Sequence, residues 1–199
     1  MQLFCKRANV VPDAYANLTN GRLRPFCERN LDKGRGSAYM SPMETFNVRT
    51  MLYDTIRTQL GRSVPFARHA GVEIDAIGKG HASAHLPFRP EGLNHIGTQH
   101  AAALFALGET ASGAAMAGAF APILFEVRPV AAEATIRYLG PAKGSVSAEA
   151  RVDGEPDALL STVKTEGKVR FPVVVSLKNE DGAEIGEMQV NWHVSRGRA

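Results

Sequence analysis

Apolar and polar residues alternate with a period of two along six segments of the chain. This pattern is typical of strands that bury one face and expose the other, as in an antiparallel sheet. Asn179-Glu180-Asp181-Gly182 adds a hairpin turn between the last two segments. The predicted buried faces are Val72, Ile74 and Ala76; Ala82, Ala84, Leu86 and Phe88; Ala132, Ala134, Ile136 and Tyr138; Val146, Ala148, Ala150 and Val152; Val169, Phe171, Val173, Val175 and Leu177; and Met188, Val190, Trp192 and Val194.

A long segment of small and apolar residues separates the second predicted strand from the third. It starts at Ala101, reaches Pro122 without an earlier proline, and favours a helix by composition and length. A helix that is small or apolar all round must be buried all round. A membrane span is the competing interpretation, but Glu109, Thr110 and Ser112 would lie in its middle.

These elements predict an α+β fold in which a strongly curved antiparallel sheet wraps around a long buried central helix. Four strands follow this helix without a helical crossover long enough for a doubly wound parallel sheet. Two more helices are expected. The first starts at the capping box Ser41-Pro42-Met43-Glu44, ends at Gly61, and lies across the sheet edge or mouth. Its predicted buried residues are Val48, Leu52, Ile56 and Leu60. The second helix runs from Pro156 to about Glu166, before Gly167.

Residues 1–40 differ from the rest of the chain in charge and pattern. The chain has 23 basic and 20 acidic side chains, and residues 1–36 contain seven of the basic and three of the acidic ones. The basic excess therefore does not make the folded part a nucleic-acid binder. We expect residues 1–40 to be an irregular basic extension, either a disordered tail or the product of a start assigned upstream of Met40 or Met43, and residues 41–199 to form a single domain. Because both cysteines, Cys5 and Cys27, fall in the extension, the domain suits a reducing cytoplasm.

A polar loop and one acid supply the candidate chemistry. The loop Asn94-His95-Ile96-Gly97-Thr98-Gln99-His100 leads directly into the central helix, and Glu109 is the only ionisable residue between Ala101 and Phe125. A buried carboxylate is costly unless it is paired or used in chemistry. Glu109 is therefore either a catalytic group with a raised pKa or a structural acid paired with an arginine.

The order of elements, together with Asn94, His100 and an acid nine residues after the histidine, resembles the hotdog-fold acyl-CoA thioesterases, above all the PaaI-like type of the phenylacetate pathway. The resemblance spans about residues 41–196, and the segment 138–144 looks like the turn that lies near CoA in that family. Members often have Gly-Gly after the histidine, where this chain has Ala101-Ala102. The backbone N–H that could donate to a substrate is present with alanine as it is with glycine.

The resemblance implies a role for each matching residue. Glu109 would act as nucleophile or general base. The first backbone N–H of the helix, near Ala101, would polarise the thioester carbonyl. Asn94 and His100 would complete the catalytic set. For His100 a loop-orienting role stays open, and Asn94 is also suited to fixing the loop. The candidate substrate-binding residues are His95, Gly97, Thr98, Ser112, Gly113, Arg137 and Lys143.

No metal or other cofactor is expected. His81 and His85 flank Ser83 on one strand face, but no third ligand of matching spacing accompanies them, so solvent-facing histidines are the simpler interpretation. Arg128, Arg137 and Lys143 are candidates for CoA phosphates, although scattered basic residues on a sheet are mostly solvated.

The helix geometry predicts an assembly. Ala101 and Glu109 are eight residues apart, which is about 12 Å along a helix, so they cannot reach one carbonyl from the same chain. Two antiparallel helices related by a two-fold axis would bring the helix start of one subunit near the glutamate of the other. We therefore expect a homodimer, or a dimer of dimers, that acts on acyl-CoA and binds neither nucleic acid nor membrane.

Two other functions stay open. A hotdog dehydratase or hydratase fits poorly, because its histidine and acid have a different spacing. A non-catalytic dimer that binds an acyl-CoA or another acyl ligand would keep the pocket and use Glu109 structurally.

Overall fold

The computed structural model describes residues 48–197, all of which belong to one compact unit. Its six strands form one antiparallel sheet, curved as predicted, in the order β1-β2-β4-β5-β6-β3. The helix predicted to be central lies between β2 and β3 in the sequence and packs mainly on β2, β4 and β5. The strands are β1 (Glu73–Gly78), β2 (His81–Leu86), β3 (Val127–Tyr138), β4 (Val146–Val152), β5 (Lys168–Lys178) and β6 (Glu184–Arg196).

The described part of the chain also contains four α-helices, α1 (Val48–Ser63), α2 (Pro65–Ala70), α3 (Ala101–Ala119) and α4 (Pro156–Glu166), and two short 3-10 helices at Pro90–Gly92 and Ala121–Glu126. The long helix α3 is the predicted central helix, and its glycines lie where the sheet comes closest. A Cβ atom at Gly108 would lie 2.5 Å from Sδ of Met188, and one at Gly118 would overlap the carbonyl oxygen of Gly78. The small residues therefore let the sheet close tightly around α3.

The helix α1 packs against the edge strand β1, as predicted, but two details of the prediction were wrong. The helix continues past Gly61 to Ser63 and ends there because Val64 precedes Pro65, which disfavours helical backbone. Of the predicted apolar stripe only Ile56 is buried, while Val48 and Leu52 are exposed. The helix α4 ends as predicted, with Gly167 in the left-handed conformation at φ 77°.

The buried faces follow the predicted alternation in β2, β4, β5 and β6. Phe88, predicted to extend the buried face of β2, lies beyond the end of that strand at Leu86 and is exposed. In the two edge strands, β1 and β3, register shifts interrupt the predicted alternation. In β1 the shift between Ile74 and Ala76 leaves Ala76 exposed. In β3 the shift lies between Ala131 and Glu133, and Ala131 pairs with Trp192. The prediction that Ala132 shares a face with Ala134 was therefore wrong. A bulge adds one residue and breaks the period of two.

The predicted basic extension, both cysteines and the capping box before α1 lie outside the described residues. The division into an extension and a domain at residue 41 stays a prediction.

Candidate functional site

The loop before α3 is held by the side chain of Asn94. Its Oδ1 accepts hydrogen bonds from the backbone N–H of Ile96 and of Thr98, both at 3.1 Å, and its Nδ2 donates to Thr98 Oγ1 at 2.8 Å. Gly97 has φ 76°, a backbone conformation that favours glycine. Asn94 therefore fixes the loop, and Gly97 and Thr98 are parts of the same turn.

His100 is the N-cap of α3. Its Nδ1 accepts the backbone N–H of Ala102 at 3.0 Å, and its carbonyl oxygen accepts the N–H groups of Ala103 and Leu104. Among the described residues nothing accepts the N–H of Ala101. One donor at the positive end of the helix is thus left for a ligand.

Tyr138 also touches the helix start, which the sequence did not predict. Its hydroxyl, at the end of β3, donates to the carbonyl oxygen of Ala101 at 3.1 Å. Partial burial raises the pKa of Tyr138 above its ordinary value, which keeps the hydroxyl protonated and able to donate. The only signal in the sequence was the place of Tyr138 at the start of the predicted turn 138–144.

Gln99 is a second residue that the sequence analysis missed. It is 2 % exposed, and its Nε2 donates to the carbonyl oxygens of Leu86, Pro87 and Gly144 at 3.1 to 3.4 Å. Its backbone N–H donates to Ala142 at 2.9 Å. These bonds join the end of β2, the loop and the turn that carries the exposed Lys143, so the predicted turn does lie beside the helix start.

Glu109 lies on α3 and is half-buried. Burial raises the pKa of its carboxyl group above the ordinary value of 4.5. Among residues 48–197 the carboxylate has neither an ion pair nor a hydrogen bond. This environment suits a carboxylate that takes a proton more readily than an exposed one, and it offers no arginine partner for a structural role within the described chain.

The segment that carries Glu109 is fixed to β6. Ser112, fully buried, donates through Oγ to the carbonyl oxygen of Glu109 at 2.7 Å and accepts the indole N–H of Trp192 at 3.2 Å. Beside it, a Cβ at Gly113 would lie 3.5 Å from the Trp192 ring, an ordinary contact. Ser112 thus faces the core beside Glu109, whereas the half-buried Gly113 borders the Trp192 ring.

One stripe of α3 is not covered by residues 48–197, whereas the sequence predicted burial all round. Ala102 and Phe105 are exposed and Glu109 and Gly113 are half-buried, at spacings of three and four residues that place them on one helix face. Contacts of α3 with β6 and β3 are few. The stripe opens toward β3, which pairs only with β6 among the described strands.

The other predicted residues are more scattered. His95 is exposed in the loop. Arg137 lies on the face of β3 opposite to α3 and forms an ion pair with Glu187 at 2.6 Å, so the structure does not bring it to the helix start. His85 contacts Asp75 at 2.7 Å and Glu73 at 3.7 Å on the outer face.

Two negative findings apply to residues 48–197. No group of three or more His, Cys, Asp or Glu side chains is arranged to hold a metal ion. None of the helices there has both the length and the apolar character needed to cross a membrane.

Comparisons with known proteins identify a family and a shared fold. The family model described as "Domain of unknown function (DUF4442)" matches residues 54–194. No curated protein matches the sequence.

Solved structures show the same fold. A protein of unknown function and probable thioesterase from Pseudomonas aeruginosa is 26 % identical, with a TM-score of 0.64 over 72 % of this chain and 95 % of that one. The PaaI protein of the E. coli phenylacetic acid degradation operon is 18 % identical, with a TM-score of 0.57 over 76 % of this chain and 97 % of that one. A thioesterase family protein from Silicibacter pomeroyi is 20 % identical, with a TM-score of 0.56 over 71 % and 99 %. The predicted hotdog fold and the resemblance to hotdog thioesterases are confirmed.

Proposed function

Because this chain belongs to the DUF4442 family and has the hotdog fold of proteins described as thioesterases, we propose that it is a thioester hydrolase acting on an acyl-CoA. The observation that carries the proposal is a pair of groups on one helix. The N–H of Ala101 is free at the positive end of α3, and the half-buried carboxylate of Glu109 has no partner in the described chain. Thioester hydrolysis needs such a donor and such a base.

The reaction follows from these two groups. As a general base, Glu109 takes a proton from water while the water oxygen attacks the carbonyl carbon. The negative charge on the carbonyl oxygen faces the N–H of Ala101, and when the intermediate collapses the C–S bond breaks. The thiol of CoA leaves with the proton that Glu109 returns, and a carboxylic acid remains. Direct attack by the Glu109 carboxylate, followed by hydrolysis of the anhydride, uses the same two positions.

The active unit is a homodimer in this proposal, and a dimer of dimers is compatible with it. The N–H of Ala101 and the position of Glu109 are about 12 Å apart along α3, so one chain cannot present both to a single carbonyl. Two features support a second copy as the partner. Within residues 48–197 the stripe of Phe105 and Glu109 on α3 is uncovered, and β3 is a 12-residue edge strand that pairs on one side only.

Substrate contacts are assigned on proximity. Lys143 projects from the turn that Gln99 ties to the helix start, and it is our candidate for the CoA phosphates. Thr98, Gly97 and His95 border the same end of α3. The reaction uses no cofactor in this proposal, and we propose a cytoplasmic location.

Release of free thiol from a panel of aryl-, short-chain and long-chain acyl-CoAs tests the activity. Glu109→Gln is expected to lower turnover at least about 100-fold, since it removes the base or nucleophile. Glu166→Gln, which changes an exposed carboxylate on α4, is the matched control. Full turnover in a folded Glu109→Gln protein would contradict the assignment, and tight acyl-CoA binding without hydrolysis would favour the non-catalytic binding dimer.

Co-expression of two chains with impaired activity tests the shared site. One chain carries Glu109→Gln and the other carries Asn94→Ala with His100→Ala. A heterodimer joins one intact helix start to one intact glutamate, so up to one of its two sites is expected to recover. If purified heterodimers show only the sum of the parental activities, Glu109 acts within its own chain or not at all.

A further inference from the structure

The first peptide group inside α3 is held at both of its polar ends by side chains. Its N–H, from Ala102, donates to Nδ1 of His100 at 3.0 Å, and its carbonyl, from Ala101, accepts the hydroxyl of Tyr138 at 3.1 Å. The two side chains come from different elements, the loop before α3 and the end of β3. We call this arrangement the peptide clamp.

The clamp leaves one backbone donor open. The carbonyl of His100, in the preceding peptide group, accepts the N–H groups of Ala103 and Leu104. Every polar group of the two peptide units is therefore bonded except the N–H of Ala101, within the described chain. Because the clamped peptide adjoins Ala101, holding its plane also limits the direction in which that N–H can point.

We propose that His100 and Tyr138 are positioning residues for the oxyanion donor, and that neither takes part in the proton transfers. This inference rests on the proposed thioester hydrolysis. The hydrogen bond from the N–H of Ala102 fixes the tautomer of His100, because an Nδ1 that accepts a hydrogen bond carries no proton. The neutral ring therefore has its proton on Nε2. An imidazole held this way is not free to act as a base through Nδ1.

A misdirected donor weakens the stabilisation of charge that develops only in the transition state, so kcat falls while KM changes little. Loss of a whole oxyanion donor costs about 100- to 1,000-fold, and a donor that is present but poorly held costs less. We expect about a tenfold lower kcat for His100→Ala and about a three- to tenfold lower kcat for Tyr138→Phe, each with KM within about twofold.

The decisive variant is His100→Asn. Asparagine is a good N-cap whose side-chain oxygen accepts the same N–H, but it cannot shuttle protons as imidazole does. It is expected to restore kcat to within about threefold of wild type. The matched controls are His69→Ala, on the surface of α2, and Tyr53→Phe, on α1, whose hydroxyl has no hydrogen bond within residues 48–197; both are expected to keep wild-type rates.

Kinetics and NMR together separate this inference from the proposed function. Long-range ¹H–¹⁵N spectra are expected to show His100 with a bare Nδ1 and a protonated Nε2. If His100→Asn is as slow as His100→Ala, or if KM rises at constant kcat, the positioning role is wrong although hydrolysis stands. If the wild-type chain hydrolyses no acyl-CoA, the proposed function fails together with the catalytic role of the clamp, and the spectra alone decide whether the clamp exists.

Discussion

Replacing Glu109 by glutamine is expected to make the protein slower and more stable at the same time. The carboxyl group is half-buried, and burial raises its pKa above the ordinary value of 4.5 because the charged form loses solvation. The folded chain therefore holds this proton to higher pH than the unfolded chain does. At pH values above both pKa values the folded state contains an unfavourable charge, which the neutral glutamine amide removes.

The size of the gain follows from the pKa difference. Each tenfold change in the acid dissociation constant corresponds to about 1.4 kcal/mol. For a chain of this size 1 kcal/mol shifts the melting temperature by about 2 to 4 °C, so each tenfold change gives about 3 to 6 °C. The penalty is absent well below pH 4.5, grows as the pH rises from 4.5 to the folded pKa, and stays constant above it.

The assay is thermal unfolding of wild type, Glu109→Gln and Glu166→Gln at pH 4 and at pH 8, on samples of equal oligomeric state. Glu109→Gln is expected to melt higher than wild type at pH 8, with the difference shrinking at pH 4, while the exposed Glu166→Gln control stays within about 2 °C. If Glu109→Gln melts lower at pH 8, the carboxylate is held charged by a favourable partner, and the reasoning from burial is refuted.

Three further changes test the packing and the chain organisation. Ser112→Ala leaves the buried indole N–H of Trp192 without its acceptor, so we expect a loss of about 1 to 3 kcal/mol in denaturant unfolding; an unchanged midpoint would show that the bond contributes nothing. Gly118→Ala forces a methyl group against a main-chain oxygen of β1, and a loss of about 1 to 3 kcal/mol is expected; a neutral result would mean that the sheet yields there. A chain started at Met40 is expected to melt within a few degrees of the full chain, and a large drop would show that residues 1–39 pack on the domain.

The sequence predicted the fold well because its patterns are regular. Period-two alternation defined β2, β4, β5 and β6, and a nearly uncharged segment ending before Pro122 defined α3. Hydrophobic burial imposes both patterns directly. The two edge strands were predicted less well, because a bulge is set by pairing with a neighbour and leaves no separate mark in the sequence.

For the candidate site, the sequence predicted positions better than contacts. The exceptional composition around Glu109 identified that residue, and the structure agrees with a raised pKa. The bond from Tyr138 to Ala101 joins residues 37 positions apart, and the three carbonyl oxygens bound by Gln99 come from two distant segments. Contacts of this kind depend on how the elements pack, so no local sequence pattern predicts them.

The bulge in β3 also bears on how the chain can change in length. Before the bulge, the residues that face α3 have odd numbers: Val127, Pro129 and Ala131. After it they have even numbers, Ala134 and Ile136, so the change occurs at Ala132. Deleting Ala132 would restore a plain period of two and leave every other side chain on its present face, whereas deleting Ala134 would also remove the extra residue but turn Glu133 toward α3. Related chains can therefore gain or lose one residue at this position, and sequence alignments that force equal length across β3 would misplace half of the strand.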